Sequence, residues 1–170
     1  MPILNQTLSA NTPIAFDLSN LAPSTSGLGG RETTQQDNTT TKYSGALVNV
    51  KGIQGHASTA PVVGQKISIY VWGADTSLAT IGIDTLDGTD SAETLTHAAI
   101  LNALRWVATS EVTAATAGLT YYFQPFDVAA KFDGILPNFW GLYLTHNHAG
   151  ALGASNNALF SFNGLSYTST

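Results

Sequence analysis

His146-Asn147-His148 is the grouping in this chain whose spacing best suits chemistry. In a β-strand, positions i and i+2 point to one face, so both imidazoles could reach a single metal ion at about 2.0–2.1 Å. A mononuclear catalytic site on a β-sandwich needs more ligands, typically a glutamate soon after the pair and a histidine on a later strand. The chain has no Glu after Glu111 and no His after His148. His56 or His97 could supply a third ligand, but nothing in the sequence places either beside the pair. The reading preferred here is structural: a strand ends at His146, at the rim of the fold, and His-Asn-His-Ala-Gly turns the chain. No metal is expected, with His146 and His148 the residues to examine for one. In a cyclic oligomer, such a pair near the axis could gather ligands from several subunits.

Other chemistries have less support. The stretch 84–93 holds Asp84, Asp87, Asp90 and Glu93, oxygen ligands of the kind calcium prefers, but not in the EF-hand spacing. Asp87-Gly88 reads as a turn, and Asp90 with Glu93 as a helix capping box. There is no G-x-S-x-G and no cysteine, so nucleophilic catalysis has no recognisable residue. Asp127 and Asp133 could line a carboxylate-pair cleft, although a capping role around a one-turn helix at 125–134 explains them more simply. Trp72, Trp106, Trp140, Tyr121, Tyr122 and Phe123 could stack sugars. Most fall within strand patterns, where core or subunit-interface packing is the default. The chain reads as a non-enzyme.

Composition narrows the partners. Charged residues make up 10% of the chain, against roughly 25% in an ordinary soluble protein. A surface of Thr, Ser, Asn and Gly has little charge repulsion, which suits packing against other subunits. The net charge is -5, and the six basic residues are scattered singly. Nucleic acid, whose binding needs several phosphates neutralised together, is excluded as an expected partner. Gly27-Leu28-Gly29-Gly30 lacks the spacing of a phosphate loop. No apolar run approaches the roughly 20 residues of a membrane helix. The opening MPILNQTLSANTP lacks the pattern of a secretory signal, so synthesis in a cytoplasm is expected and the sequons at Asn5 and Asn38 are read as chance.

The elements that must position these residues read as β throughout. Runs rich in branched and aromatic residues recur at 14–19, 43–51, 66–73, 78–84, 100–110, 119–126, 139–146 and 158–169, between turn signals. Ile67, Ile69 and Val71 alternate with Ser68, Tyr70 and Trp72, and Trp140, Leu142 and Leu144 share a face. That period marks half-buried antiparallel strands. The expectation is one domain: an all-β antiparallel sandwich, a jelly roll of about eight strands, with at most one or two short helices. Residues 42–170 form the body. Residues 1–41 are an extended arm and long polar loop, with a short strand near 14–19 and the loop at 19–41 free or laid across a partner. A helix near 91–98 followed by a strand to residue 110 is the compromise for a segment that fits both periods.

The runs ATIGIDTLDGTDSAETLTHAA (79–99) and TYYFQPFDVAAKFDGILPNFWGLYLTHNHAGALG (120–153) resemble small head decoration, or cement, proteins of tailed bacteriophages. The most specific part runs from Pro125-Phe126-Asp127 through Leu136-Pro137 and Trp140-Gly141 to the turn at 146–153. The resemblance implies a jelly-roll virion protein on the capsid exterior. It would bind the major capsid protein, stabilise the shell and often form a homotrimer. It implies no catalytic residue and no cofactor, and gives His146 and His148 no ligand. A carbohydrate-binding or host-adhesion module of a phage particle is the alternative.

Overall fold

Strand formation follows the alternation most closely where it is most regular. A computed structural model describes residues 4–169. The strands are β1 (Leu4–Leu8), β2 (Thr12–Ile14), β3 (Gly29–Glu32), β4 (Gln36–Asp37), β5 (Gly45–Val50), β6 (Ile53–Gln54), β7 (Lys66–Ala74), β8 (Ala92–Thr94), β9 (Arg105–Glu111), β10 (Thr120–Tyr121), β11 (Phe126–Asp127), β12 (Phe139–His146) and β13 (Phe160–Ser169). One helical turn, α1 (Leu78–Ile81), and two 3-10 turns, Ala98–Asn102 and Ala129–Lys131, are the described helical elements. All strand pairs are antiparallel. The chain is the expected all-β sandwich.

One large sheet has the order β1-β13-β5-β11, with β2 also on β13; a second runs β8-β3-β12-β7-β9, with β4 also on β12; β10 and β6 form a separate two-stranded sheet. Between the two large sheets lies the main core. Ile14, Phe16, Val48, Phe160 and Phe162 face Ile67, Ile69, Val71, Trp140, Leu142 and Leu144. Edge-on aromatic pairs lock the layers: Trp140 to Phe162 with centroids 5.2 Å apart, and Phe16 to Phe160 at 4.9 Å.

The second sheet is covered on its outer face as well. Trp72 and Tyr143, both fully buried, pack with Leu78, Leu86, Leu95 and Leu104 from residues 75–104. Trp72 and Tyr143 stand on the faces of β7 and β12 opposite the main core, so β12 is buried on both sides. Gly141 makes this possible, because a Cβ there would strike the Trp72 ring.

Several expected elements are corrected. The segment at 91–98 is not a helix: Ala92–Thr94 is an edge strand paired with β3. Its supposed capping residues are engaged elsewhere. Asp90 forms an ion pair with Arg31 at 2.6 Å and accepts the Asp17 N–H, while Glu93 accepts the Ser91 hydroxyl. Sheet pairing and an ion pair outweigh a three-residue capping signal. Conversely, 78–84 holds α1, not a strand, because Leu78 must turn inward onto the outer core. The strand expected at 100–110 begins only at Arg105, after the 3-10 turn. Near 14–19 the strand is Thr12–Ile14, and Phe16 and Leu18 enter the core without ladder pairing.

The polar segment 19–41 is woven into the second sheet rather than left as a loop. β3 and β4 both pair with β12, and Thr33 joins them across the gap. Its backbone N–H donates to the Leu142 carbonyl and its hydroxyl accepts the Leu142 N–H, each at 2.9 Å. The side chain thus continues a ladder that the backbone leaves.

Candidate functional site

β12 carries His146 to the end of the main core and the turn returns His148 beside it, with ring centroids 5.4 Å apart. Neither is at an open rim; they are 2% and 4% exposed. The His146 Nε2–H donates to the Leu21 carbonyl at 2.9 Å, and its Nδ1 accepts the His148 backbone N–H at 3.4 Å. Both ring nitrogens of a neutral imidazole are therefore used, leaving no lone pair for an ion. His148 stacks on Tyr121, centroids 4.9 Å apart, and no described group hydrogen-bonds to its Nε2 or to the Tyr121 hydroxyl. Burial holds the His146 ring below its usual pKa, and burial with the neighbouring His146 pushes His148 down to about 4. His56 spends its Nδ1 on the Ser58 and Thr59 N–H groups of its own loop. His97 precedes the turn at Ala98–Asn102. Among the described residues no three His, Asp or Glu side chains group to hold a metal.

The acidic stretch is likewise consumed locally. Asp84 accepts the Thr96 N–H and hydroxyl, and Asp87 accepts those of Thr89. These bonds hold both carboxyls below the ordinary carboxylate range. The turn at Asp87-Gly88 forms as expected, with Gly88 at φ 82°. Glu32, which the sequence reading passed over, fixes that turn. Its two carboxyl oxygens accept the Asp87 and Gly88 N–H groups at 2.9 and 3.2 Å, and it is fully buried. Burial drives its pKa up to about 7, against the pull of those two bonds. A glutamate between Arg31 and Thr33, in a stretch with no apolar residue, gives no sign of that burial. Asp127 accepts the Ala46 and Ala129 N–H groups at 3.1 Å, so it pins β5 to the 3-10 turn. Asp133 is an exposed residue with φ 55°.

The aromatic candidates divide sharply. Trp72, Trp140 and Tyr121 are buried, whereas Trp106 is 56% and Tyr122 75% exposed. Trp106 owes its position to a β-bulge. The β7–β9 register passes from Ile69↔Ala108 to Tyr70↔Trp106, so Val107 has no partner and turns into the core. Trp106 thereby shares the outer face with Tyr70, and Arg105, the first residue of this edge strand, is exposed beside it. The Trp106 Nε1–H donates to Thr109 Oγ1 at 3.0 Å, which orients the ring. Around it lies an open depression of about 740 Å³, lined by residues that include Tyr70, Leu101, Asn102, Arg105 and Lys131.

A second exposed feature is the end of the first sheet. β13 pairs with β5 only as far as Leu165, and from there to Ser169 its one described partner is β1. Residues 166–169 and β1 form a two-stranded ribbon leaving the sandwich, with a Thr7–Ser166 hydroxyl contact of 2.8 Å. Residues 5–8 are exposed along their whole length, with Leu8 at 57% and Tyr167 at 52%.

No family model matches the chain, and no curated protein or solved structure matches it significantly.

Proposed function

We propose that this chain is a non-catalytic structural protein of a phage particle, a decoration protein that binds the outside of the capsid and stabilises the shell. The ribbon of β1 and the end of β13 carries this reading. Two strands with no further strand on either outer edge among the described residues gain little stability alone, but they are a ready template for strand addition to a neighbour. Leu8 and Tyr167 supply apolar contact there, and the sparse charge of the chain suits a broad, wet interface. The resemblance of residues 79–99 and 120–153 to decoration proteins points the same way. The partner is the major capsid protein, the working unit a homo-oligomer, most simply a trimer, and the place the capsid exterior after synthesis in the host cytoplasm. Binding only to the assembled shell stabilises it by mass action. The test is to add purified protein to expanded capsids lacking it and measure bound copies and heat resistance. Saturable binding with a higher capsid melting temperature is expected; no binding and unchanged melting refute the reading. A carbohydrate-binding module is the second reading, favoured by the exposure of Trp106.

A further inference from the structure

The depression beside Trp106 is unusual in its charge. The chain carries eleven acidic and six basic residues, yet two of the six, Arg105 and Lys131, line this one hollow with no carboxylate among its lining residues. Arg31 is paired with Asp90 and Lys66 with Glu111; Arg105 and Lys131, like Lys42 and Lys51, have no ion-pair partner among the described residues, and they are the two that share one hollow. They arrive from different elements: Arg105 from the start of the bulged edge strand β9, Lys131 from the 3-10 turn Ala129–Lys131. The Lys131 Nζ stands 5.7 Å from the centroid of the Trp106 ring, so its charge is held over the aromatic surface. Asn102, exposed on the opposite turn, adds an amide that can both donate and accept.

We propose that this hollow binds a saccharide bearing a carboxylate. The pyranose C–H face would lie on Trp106, the carboxylate between Arg105 and Lys131, and a ring hydroxyl on Asn102. An aromatic ring held by its own N–H bond suits a flat C–H surface, because it loses little freedom on binding. Two unpaired cations suit one anionic group, and guanidinium is the better matched of the two. A nucleic-acid strand fits worse: it needs cations that track successive phosphates, and here the cations stop at two while the net charge of -5 repels a polyanion. The bulge at Val107 is the device that exposes Trp106, since a regular continuation would pair it with Val71 on the core face and not with Tyr70.

The test uses the full chain alone, so its result is independent of capsid binding. Trp72 and Trp140 are buried, so ligand quenching of tryptophan fluorescence reads Trp106. The probes are 3′-sialyllactose, lactose as the uncharged counterpart, and uridine monophosphate. Saturable quenching by sialyllactose is expected, with lactose and the nucleotide at least about tenfold weaker. By calorimetry, Arg105→Ala, Lys131→Ala and Trp106→Ala should each weaken sialyllactose at least about tenfold. Their thermal melting should stay at the wild-type value, because the changed side chains lie at the surface. Absence of saturation up to about 10 mM, equal affinity for lactose or the nucleotide, or unchanged affinity in Arg105→Ala and Lys131→Ala would each overturn the proposal.

Discussion

The two histidines show how far residue type and parity reach. Placing His146 on the core face with Trp140, Leu142 and Leu144 follows from counting by two, and the fold agrees. Their burial was not legible, because it rests on residues distant in sequence: the Leu21 carbonyl, 125 residues away, accepts a hydrogen bond from the His146 ring, and Tyr121 packs on His148. A buried imidazole is held neutral, and this sets a pH dependence. The unfolded chain takes up a proton at His148 as pH falls below 6.5, while the folded chain resists until about 4. Its contribution to stability is therefore complete above 6.5 and lost as pH falls through that window. Glu32 acts in the opposite sense: with a folded pKa of about 7 against 4.5, its share is present at low pH and lost as pH rises through that interval. The difference between wild type and His148→Phe isolates the histidine. Phenylalanine keeps the ring contact with Tyr121 and removes the unpartnered nitrogen, so at pH 7 the variant should match wild type within about 1 kcal/mol. At pH 4 it should be the more stable by up to about 3 kcal/mol, from 2.5 pKa units at 1.36 kcal/mol each. Urea unfolding at both pH values measures it, and a difference that does not change with pH refutes the assignment.

At the scale of elements, legibility tracked chemical contrast. β7 and β12 alternate apolar with polar or aromatic residues and were found within a residue of their ends. β3 and β4 were not, because GGRETTQQD has no apolar member and its pairing comes from strands distant in sequence, β12 for both and β8 for β3. The outer core was missed for a related reason: Trp72 and Tyr143 sit at alternate positions that a two-layer reading gives to solvent. What holds this polar stretch to β12 is mostly backbone, so the side-chain link at Thr33 should matter out of proportion to its size. Thr33 is fully buried, and its hydroxyl is the acceptor for the Leu142 N–H. Thr33→Val keeps the shape and orphans that buried donor, for which a loss of about 1–3 kcal/mol is expected. Thr33→Ser restores the acceptor and should lose less. Chemical denaturation of the two variants checks the order; equal losses would mean that packing of the γ-methyl, and not the hydrogen bond, carries the site.

For the whole molecule, the question is which surface was built for a partner. A covered outer sheet and a continuous main core leave the sandwich self-sufficient, so nothing inside it requires an oligomer. The ribbon of β1 and β13 is different. Beyond Leu165 the ribbon is held by the β1–β13 ladder with Thr7 bonded to Ser166, and it exposes Leu8 and Tyr167 to water. Exposed side chains on a ribbon that adds little to the core contribute little to monomer stability. The double change Leu8→Ser with Tyr167→Ser should therefore leave the unfolding free energy within about 0.5 kcal/mol of wild type. If the ribbon docks on a capsid as proposed, the same change should weaken that binding by at least about a hundredfold, the scale of losing two apolar anchors at an interface. Arg105→Ala, on another sheet, should leave the proposed capsid binding unaltered, so the pair of variants separates the ribbon from the depression beside Trp106. Sedimentation of each variant with expanded capsids decides between them. Wild-type binding by the ribbon variant would place the contact on another face of the sandwich and remove the ribbon as the docking element.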